Sequence, residues 1–250
     1  MVSVVSNVLR PSMLVQEVSS YVSTRDGGKD TLEAVINCFD WMAHLGINQS
    51  FAETACKDLE PVKKMYSIPS FFHHLNELRH EYTVYDQTQS SEASRKLFNR
   101  AMLTTSSGSE ATLFGNSLGF VELGKEGLKI ANTLFWAPLF LYESVSFFYE
   151  IEQAEFLTKE MNASYDDQVK NILNHKIQIK YLNVLKSVTT LAMASISLVS
   201  ILFAAMAQGI LFSCGAMLAL TSVWLVLNFV IYFYERMITQ WEKALPLGKV

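Results

Sequence analysis

The sequence has few cysteines and no excess of basic residues. Its 250 residues carry a formal net charge of −4, which argues against a nucleic-acid partner. The three cysteines, Cys38, Cys56 and Cys214, are odd in number and lack the spacing of metal ligands. They are predicted to be reduced packing residues in a thiol-rich compartment.

A convincing active site is also lacking. The segment from Gly115 to Gly119 matches G-x-S-x-G, and an aspartate and a histidine follow in the order of a hydrolase triad. Its flanks are helical, however, whereas a nucleophile elbow follows a strand. Gly115 and Gly119 are better explained as a small-residue pair for helix packing. His73, Glu77 and His80 share a helix face, but they match no zinc-protease motif. No catalytic residue, metal or cofactor is therefore predicted.

A secretory signal peptide is not recognisable in residues 1–24. Residues 1–9 carry no positive charge, and neither a long apolar centre nor a small-residue cleavage site follows. The segment is instead rich in serine, at Ser3, Ser6, Ser12, Ser19, Ser20 and Ser23. This composition fits either a frayed terminus or an uncleaved export signal that does not use the Sec pathway.

Charge is absent from Ser187 to Tyr234, where no Asp, Glu, Lys, Arg or His occurs. A helix needs only about 20 residues to cross the ~30 Å apolar core of a bilayer, so one span would use less than half of this stretch. We therefore expect two spans folded against each other as a hairpin. The turn is predicted at Ala207, Gln208 and Gly209, the least apolar point, and Ala205 with Gly209 is a candidate small-residue pair for close helix packing.

The charges that flank this stretch predict its topology. Lys176, Lys180 and Lys186 precede the first span, and Arg236 and Lys243 follow the second. By the positive-inside rule, both ends lie on one side of the membrane, that of synthesis or of delivery. The alternative is a buried hairpin in a soluble bundle, but a soluble core helix of this length normally shows a polar stripe.

The rest of the chain lacks the period-two alternation of strands and follows helical periodicity instead. The predicted class is all-α, with a helical N-terminal domain followed by a C-terminal transmembrane hairpin. Asp30 is expected to cap a helix that ends before Gly46, and a helical pattern with few breaks covers residues 109–161. Two apolar stripes are candidate partner-binding faces or, equally, internal core. They are Leu32, Val35 and Phe39 in the first, and Val169, Ile172, Leu173 and Ile177 in the second.

A shorter uncharged run covers residues 130–142 and is interrupted by Pro138. It is too short to span a bilayer on its own, and its aromatic residues suit a bilayer interface or a partner groove. If the chain does cross the membrane here, with Glu143 as a tolerated charge, the hairpin topology changes. The alternatives of membrane-inserted, interfacial and core helix stay open from the sequence.

Two features together resemble the chlamydial inclusion membrane (Inc) proteins: the serine-rich N-terminus and the bilobed uncharged segment with its short turn. Gly28-Lys29-Asp30-Thr31 and Leu113-Phe114-Gly115-Asn116 add local similarity. The resemblance implies type III secretion and insertion into the membrane of the pathogen's vacuole, with both termini in host cytosol. It also implies a host protein as partner, and a second copy of the chain is a further candidate.

A second resemblance is to the peroxisome-dividing peroxin family. It depends on Arg25-Asp26-Gly27-Gly28-Lys29, Ser94-Arg95-Lys96-Leu97-Phe98 and the apolar helix through Trp136. This resemblance implies a peroxisomal membrane location. Membrane shaping would then come from an amphipathic helix, for which residues 92–104 are the best candidate.

The predicted organisation has four parts. They are a serine-rich segment (1–24), which is the candidate export signal, a helical cytosol-facing domain (25–186), the hairpin (187–234) and a short tail (235–250). The chain is thus predicted to be a non-enzymatic integral membrane protein that contacts lipid through the hairpin and a protein partner through the helical domain.

Overall fold

The computed structural model describes residues 18–202 and 212–244, and every regular element in these ranges is a helix. This confirms the predicted all-α class. A short helical segment at residues 18–22 precedes seven helices. In chain order they are α1 (Arg25–His44), α2 (Gln49–Met65), α3 (Ser67–Thr88), α4 (Ser91–Ser117), α5 (Lys125–Ala163), α6 (Asp167–Leu202) and α7 (Phe212–Ala244).

The chain divides into two compact units between Tyr66 and Ser67. The first contains α1 and α2, which pack against each other, and the second contains α3 to α7, each packed against the next in sequence. The helices that precede the hairpin from α3 onward therefore belong to the same unit as the hairpin. The predicted boundary between the helical domain and the hairpin, at residue 186, lies inside α6 and inside this unit.

Helix α1 begins earlier than the sequence pattern predicted. Thr24 is the N-cap, and its hydroxyl oxygen accepts a hydrogen bond from the Gly27 amide at 3.0 Å. Asp30, the predicted cap, lies inside the helix and accepts a hydrogen bond from the Tyr21 hydroxyl at 2.6 Å. A Cβ at position 27 would lie 2.0 Å from the Tyr21 carbonyl oxygen. Glycine therefore allows the backbone to approach this oxygen closely where α1 begins.

The helical pattern predicted over residues 109–161 is broken between α4 and α5. Gly119 follows the end of α4 with φ +75°, and the amides of Gly119 and Phe120 donate to the carbonyls of Asn116 and Gly115. This is a Schellman motif, in which glycine relieves the strain of a left-handed conformation. Gly115 and Gly119 therefore do not form one helix-packing face, and this prediction is corrected.

The close glycine contact of the second unit lies elsewhere, at Gly108 in α4. A Cβ placed on Gly108 would lie 3.0 Å from Phe71 Cε2 of α3. The same addition at Gly115 would meet only Val121 Cγ2, at an ordinary 3.5 Å. Gly108 thus allows α3 and α4 to approach closely. No glycine or alanine lies four residues from it, so the sequence shows no small-residue pair at this position.

Candidate membrane hairpin

Helices α6 and α7 are both long and apolar enough to cross a membrane. Helix α6 is continuous from Asp167 to Leu202, so the predicted soluble helix leads into the first span without a break. Helix α7 likewise continues past Tyr234 to Ala244, so residues 235–244 extend the second span rather than forming a separate tail. The predicted turn residues Ala207, Gln208 and Gly209, and the packing residue Ala205, lie outside the described residues.

The two helices pack antiparallel along their length. Near the apolar end, the Thr221 hydroxyl donates to Met193 Sδ at 3.7 Å. Towards the charged end, a buried cluster joins the helices, and Leu182, Tyr234 and Trp241 pack against it. The cluster consists of Ile172, Ile179, Leu227, Ile231 and Ile238. A hairpin is therefore the arrangement of the described parts of α6 and α7.

Several small and hydroxyl-bearing side chains of the first span are buried, and several of its large apolar side chains are exposed. Ser187, Thr189, Thr190 and Ala194 are buried, and Ala194 is 0% exposed. Their neighbours Val188, Val199 and Leu202 are exposed, as are four apolar residues of the second span. Those four are Val223, Val226, Phe229 and Val230. The hairpin thus has a buried interface of apolar and small polar side chains, and an outward surface that carries several large apolar side chains, which a water-soluble bundle would keep inside.

The buried hydroxyls of this span are satisfied within the protein. Thr189 and Thr190 donate to the carbonyls of Leu185 and Lys186, each four residues back in the same helix. Such bonding leaves no free donor that would need water. Small residues at the helix interface with apolar residues facing outward are typical of helices that pack within a bilayer.

Polar and aromatic residues join the two helices at the charged end of the hairpin. The Tyr234 hydroxyl lies within hydrogen-bonding distance of His175 Nδ1 and of Gln178 Oε1. The His175 ring also lies 4.9 Å, centroid to centroid, from that of Trp241. Lys176, which follows His175, forms an ion pair with Glu242, which follows Trp241. Aromatic rings and ion pairs at this level suit the boundary between an apolar and an aqueous phase.

Helix α5 contacts α6 where the uncharged stretch begins. Ser187 Oγ donates to Glu143 Oε2 at 2.7 Å, and both residues are buried. Two turns further along α5, Glu150 Oε2 pairs with Lys180 Nζ at 2.9 Å. Burial raises the pKa of Glu143, although the Ser187 hydroxyl and the charge of Lys186 partly offset it. In the sequence, Glu143 is only the charge that ends an uncharged run. No local feature of the sequence marks Ser187 as its hydrogen-bond partner.

The packing of α6 corrects the prediction that its apolar stripe is a partner-binding face. Ile172 and Ile177 are buried, and Ile172 belongs to the cluster shared with α7, so neither is available to a partner. Val169 and Leu173 are half-buried. The stripe is mainly internal core, which was the alternative that helical periodicity left open.

In the first unit, the predicted face on α1 is only partly accessible. Val35 is exposed, Leu32 is half-buried, and the Phe39 ring packs edge-on against that of Phe51 with centroids 5.7 Å apart. Larger exposed apolar side chains lie around the turn between α1 and α2, at Leu45, Ile47 and Phe51. The accessible apolar surface of this unit is therefore displaced from the predicted stripe towards that turn.

The predicted polar face on α3 forms a cluster of different composition. Glu77 Oε2 lies 3.2 Å from His73 Nε2 and 3.6 Å from His74 Nδ1, whereas His80 is not in the cluster. Arg100 Nη1 of α4 pairs with the same carboxylate oxygen at 2.7 Å. Arg100 and the two histidines thus share one carboxylate, and the cluster links α3 and α4.

Two further sequence candidates lie within α4. The Ser117 hydroxyl of the G-x-S-x-G match donates to the Phe114 carbonyl at 2.7 Å, as a serine at a helix end does. The amphipathic segment 92–104 packs partly into the bundle, with Ala93 and Thr104 buried and Arg95 Cζ lying 3.6 Å from the Tyr149 ring centroid. Ala93, Thr104 and Arg95 are thus engaged within the bundle and are not free to wedge into a leaflet.

No protein-family model, curated protein or solved structure matches this chain. The resemblances to inclusion membrane proteins and to peroxins therefore stay predictions. The functional argument depends on the geometry of the hairpin and of the helices packed against it.

Proposed function

We propose that this chain is a non-enzymatic integral membrane protein, anchored by α6 and α7, that presents its helical N-terminal part to cytosol for binding a protein partner. The observation that carries the proposal is the exposed apolar surface of the two long helices of the hairpin. Val226 is 62% exposed while Thr190 is 6% exposed, which would be costly in water but is favourable among acyl chains. The exposed residues Leu45, Ile47 and Phe51 are the partner-binding surface under this proposal.

The setting that fits best is the vacuole membrane of an intracellular pathogen, reached by type III secretion. It is supported by the serine-rich N-terminal segment, by the uncharged bilobe and by the basic residues of α6 and α7, which lie at one end of the hairpin. Both termini would then face host cytosol. A host protein is the partner expected in this setting.

The experiment is a secretion assay on the full chain with a calmodulin-dependent cyclase reporter fused to its C-terminus. We expect cyclic AMP in host cells infected with type III-competent bacteria and none with a type III-deficient strain. Residues 1–25 fused to the same reporter serve to separate the export signal from the rest of the chain. After infection, the full-length fusion should stay in the membrane fraction through alkaline extraction.

Absence of cyclic AMP with both strains would contradict secretion and a cytosolic C-terminus together. The membrane-shaping alternative would then be tested by adding purified protein to liposomes and measuring tubulation. Release of the protein by alkaline extraction would contradict anchoring by α6 and α7, whatever the reporter shows.

A further inference from the structure

Two adjacent histidines of α3 and a glutamate one turn later bring their polar atoms close together. His73 Nε2 lies 3.2 Å from Glu77 Oε2, and His74 Nδ1 lies 3.6 Å from the same oxygen. The three atoms all lie within 4.8 Å of one another. Residues three and four apart are neighbours on a helix surface, so the helix itself places both imidazoles beside the carboxylate.

The separations between these atoms are close to those between the ligands of one metal ion. Zinc binds imidazole nitrogen and carboxylate oxygen at about 2.0–2.2 Å, so two ligands of a tetrahedral ion lie about 3.3–3.5 Å apart. The two nitrogen–oxygen distances, 3.2 and 3.6 Å, lie on either side of this range. The His73 side chain is 46% exposed, so its ring has room to adjust the remaining nitrogen–nitrogen separation.

The Glu77 carboxylate has an oxygen that its protein neighbours do not satisfy. Oε2 is buried, and within residues 18–202 and 212–244 no donor forms a hydrogen bond of good geometry with it. Arg100 Nη1 of α4 lies 2.7 Å away, which makes an ion pair but not a directed hydrogen bond. Such an oxygen suits a cation, because the attraction of a cation does not depend on the direction of a donor group.

Arg100 is compatible with a metal ion at this position. A carboxylate offers two oxygens with about four lone-pair sites, so a guanidinium and a metal ion can share it. Carboxylates that bind a metal are normally held by such an outer partner, which fixes their orientation. The positive charge of Arg100 opposes the ion, however, so we expect weaker binding than at a closed site with four protein ligands.

We infer that His73, His74 and Glu77 bind a divalent transition-metal ion of the zinc class. Two imidazole nitrogens and one carboxylate oxygen suit zinc and copper(II), whereas Mg²⁺ and Ca²⁺ prefer oxygen donors throughout. Three protein ligands leave a fourth position to water, as in open zinc sites. The structure thus replaces His80, the third member of the helix face considered from the sequence, by His74. Because the site lies in α3, the inference does not depend on the proposed anchoring by α6 and α7.

The test is zinc titration of the full chain in detergent micelles after treatment with a chelator, followed by isothermal titration calorimetry. Thiols also bind zinc, so the background protein carries Cys38→Ser, Cys56→Ser and Cys214→Ser. In this background, one ligand at a time is removed by His73→Gln, His74→Gln or Glu77→Gln. The matched control is His80→Gln, which removes an imidazole from the same helix outside the cluster.

We expect one zinc ion per chain, with no displacement by excess Mg²⁺. Each of the three ligand variants should bind zinc at least about tenfold more weakly, since even the loss of an outer partner of a ligand costs about 10–100-fold. His80→Gln should change the affinity less than about twofold, because three ligands remain. Zinc should also raise the thermal midpoint of the background protein and of His80→Gln but not that of His74→Gln, since an ion bound only to the folded state stabilises it.

Absence of saturable zinc binding in the background protein would overturn the inference. Unchanged affinity in His73→Gln and His74→Gln would also overturn it, because the ion would then be bound elsewhere. So would an equal loss in His80→Gln, which would indicate nonspecific binding by exposed imidazoles. Circular dichroism without metal establishes that each variant is folded, and the exposed position of His73 keeps the test decisive if Glu77→Gln does not fold. None of these outcomes bears on the anchor, which alkaline extraction tests separately.

Discussion

At the residue scale, Cys38 and Cys56 occupy different environments, although the sequence analysis predicts the same role for both. Cys38 is exposed, whereas the Cys56 thiol lies between α1 and α2 and donates to Asp40 Oδ1 at 3.1 Å. Burial and then the Asp40 carboxylate raise the pKa of Cys56 to about 11. The thiolate, which is the reactive form, is therefore strongly disfavoured at Cys56.

We expect iodoacetamide at pH 8 to modify Cys38 at least about tenfold faster than Cys56, because a thiol with a pKa of about 11 is only about one part in a thousand thiolate at that pH. Peptide mass spectrometry of the Cys214→Ser protein measures both rates in one sample. In Asp40→Asn the Cys56 rate should rise, since a carboxylate that raises its pKa is removed. Equal rates at the two cysteines in the folded protein would contradict the described environment of Cys56.

At the scale of elements, the packing of α3 on α4 depends on Gly108. Alanine in place of glycine stabilises an exposed helix interior by about 0.5–1 kcal/mol, provided that the added methyl group finds room. Gly115 has that room, since the nearest atom to a new Cβ is 3.5 Å away. At Gly108 the Phe71 ring lies 3.0 Å from the Cβ position, so the ring or the helix has to move.

We expect Gly115→Ala to raise the thermal midpoint in detergent micelles. Gly108→Ala should be less stable than Gly115→Ala by about 1 kcal/mol, because the shared gain in helix propensity is opposed by the contact with Phe71. Phe71→Leu in the Gly108→Ala background relieves that contact and should recover part of the difference. Circular dichroism follows the transitions. Equal gains for both alanine variants would show that α3 and α4 do not approach closely at Gly108.

At the scale of the whole molecule, the two units have separate internal packing. In the first unit, Lys63 Nζ lies 2.9 Å from Glu33 Oε2 of α1 and 3.1 Å from Glu60 Oε1 of its own helix. Burial disfavours the charged amine, but the two carboxylates outweigh it and raise the pKa of Lys63. Lys64, which pairs with Glu60 at 3.4 Å, is more exposed. The Lys63–Glu33 pair joins α1 to α2, whereas the Lys64–Glu60 pair lies within α2.

We expect Lys63→Met to speed amide hydrogen exchange in residues 25–65 about fivefold, corresponding to about 1 kcal/mol for a partly buried ion pair. Exchange in residues 125–202 should not change, because those helices belong to the other unit. Lys64→Met is the matched control and should change exchange less than twofold, as exposed ion pairs contribute about 0–1 kcal/mol. A uniform rise across both units would show that they unfold as one body.

The fold class and the position of the two long apolar helices were predictable from local sequence patterns alone. Helical periodicity is local, and a stretch without charge from Ser187 to Tyr234 can be recognised without knowing its neighbours. Helix boundaries were less predictable: Thr24 rather than Asp30 caps α1, and Gly119 ends α4. Each of these two helix boundaries depends on a capping contact with the backbone that several nearby residues were able to make.

Only the tertiary structure decided what each apolar face packs against. An apolar stripe has the same residues whether a neighbouring helix, a partner or lipid buries it. Sequence alone therefore could not distinguish Ile172 and Ile177 from a partner-binding face. In the structure both are buried, and α7 covers Ile172. Likewise, Glu143 and Ser187 are far apart in sequence, and their hydrogen bond is one of the contacts that hold α5 beside the first span. Contacts between distant segments carry no local signal, because they arise from the register of whole helices rather than from neighbouring residues.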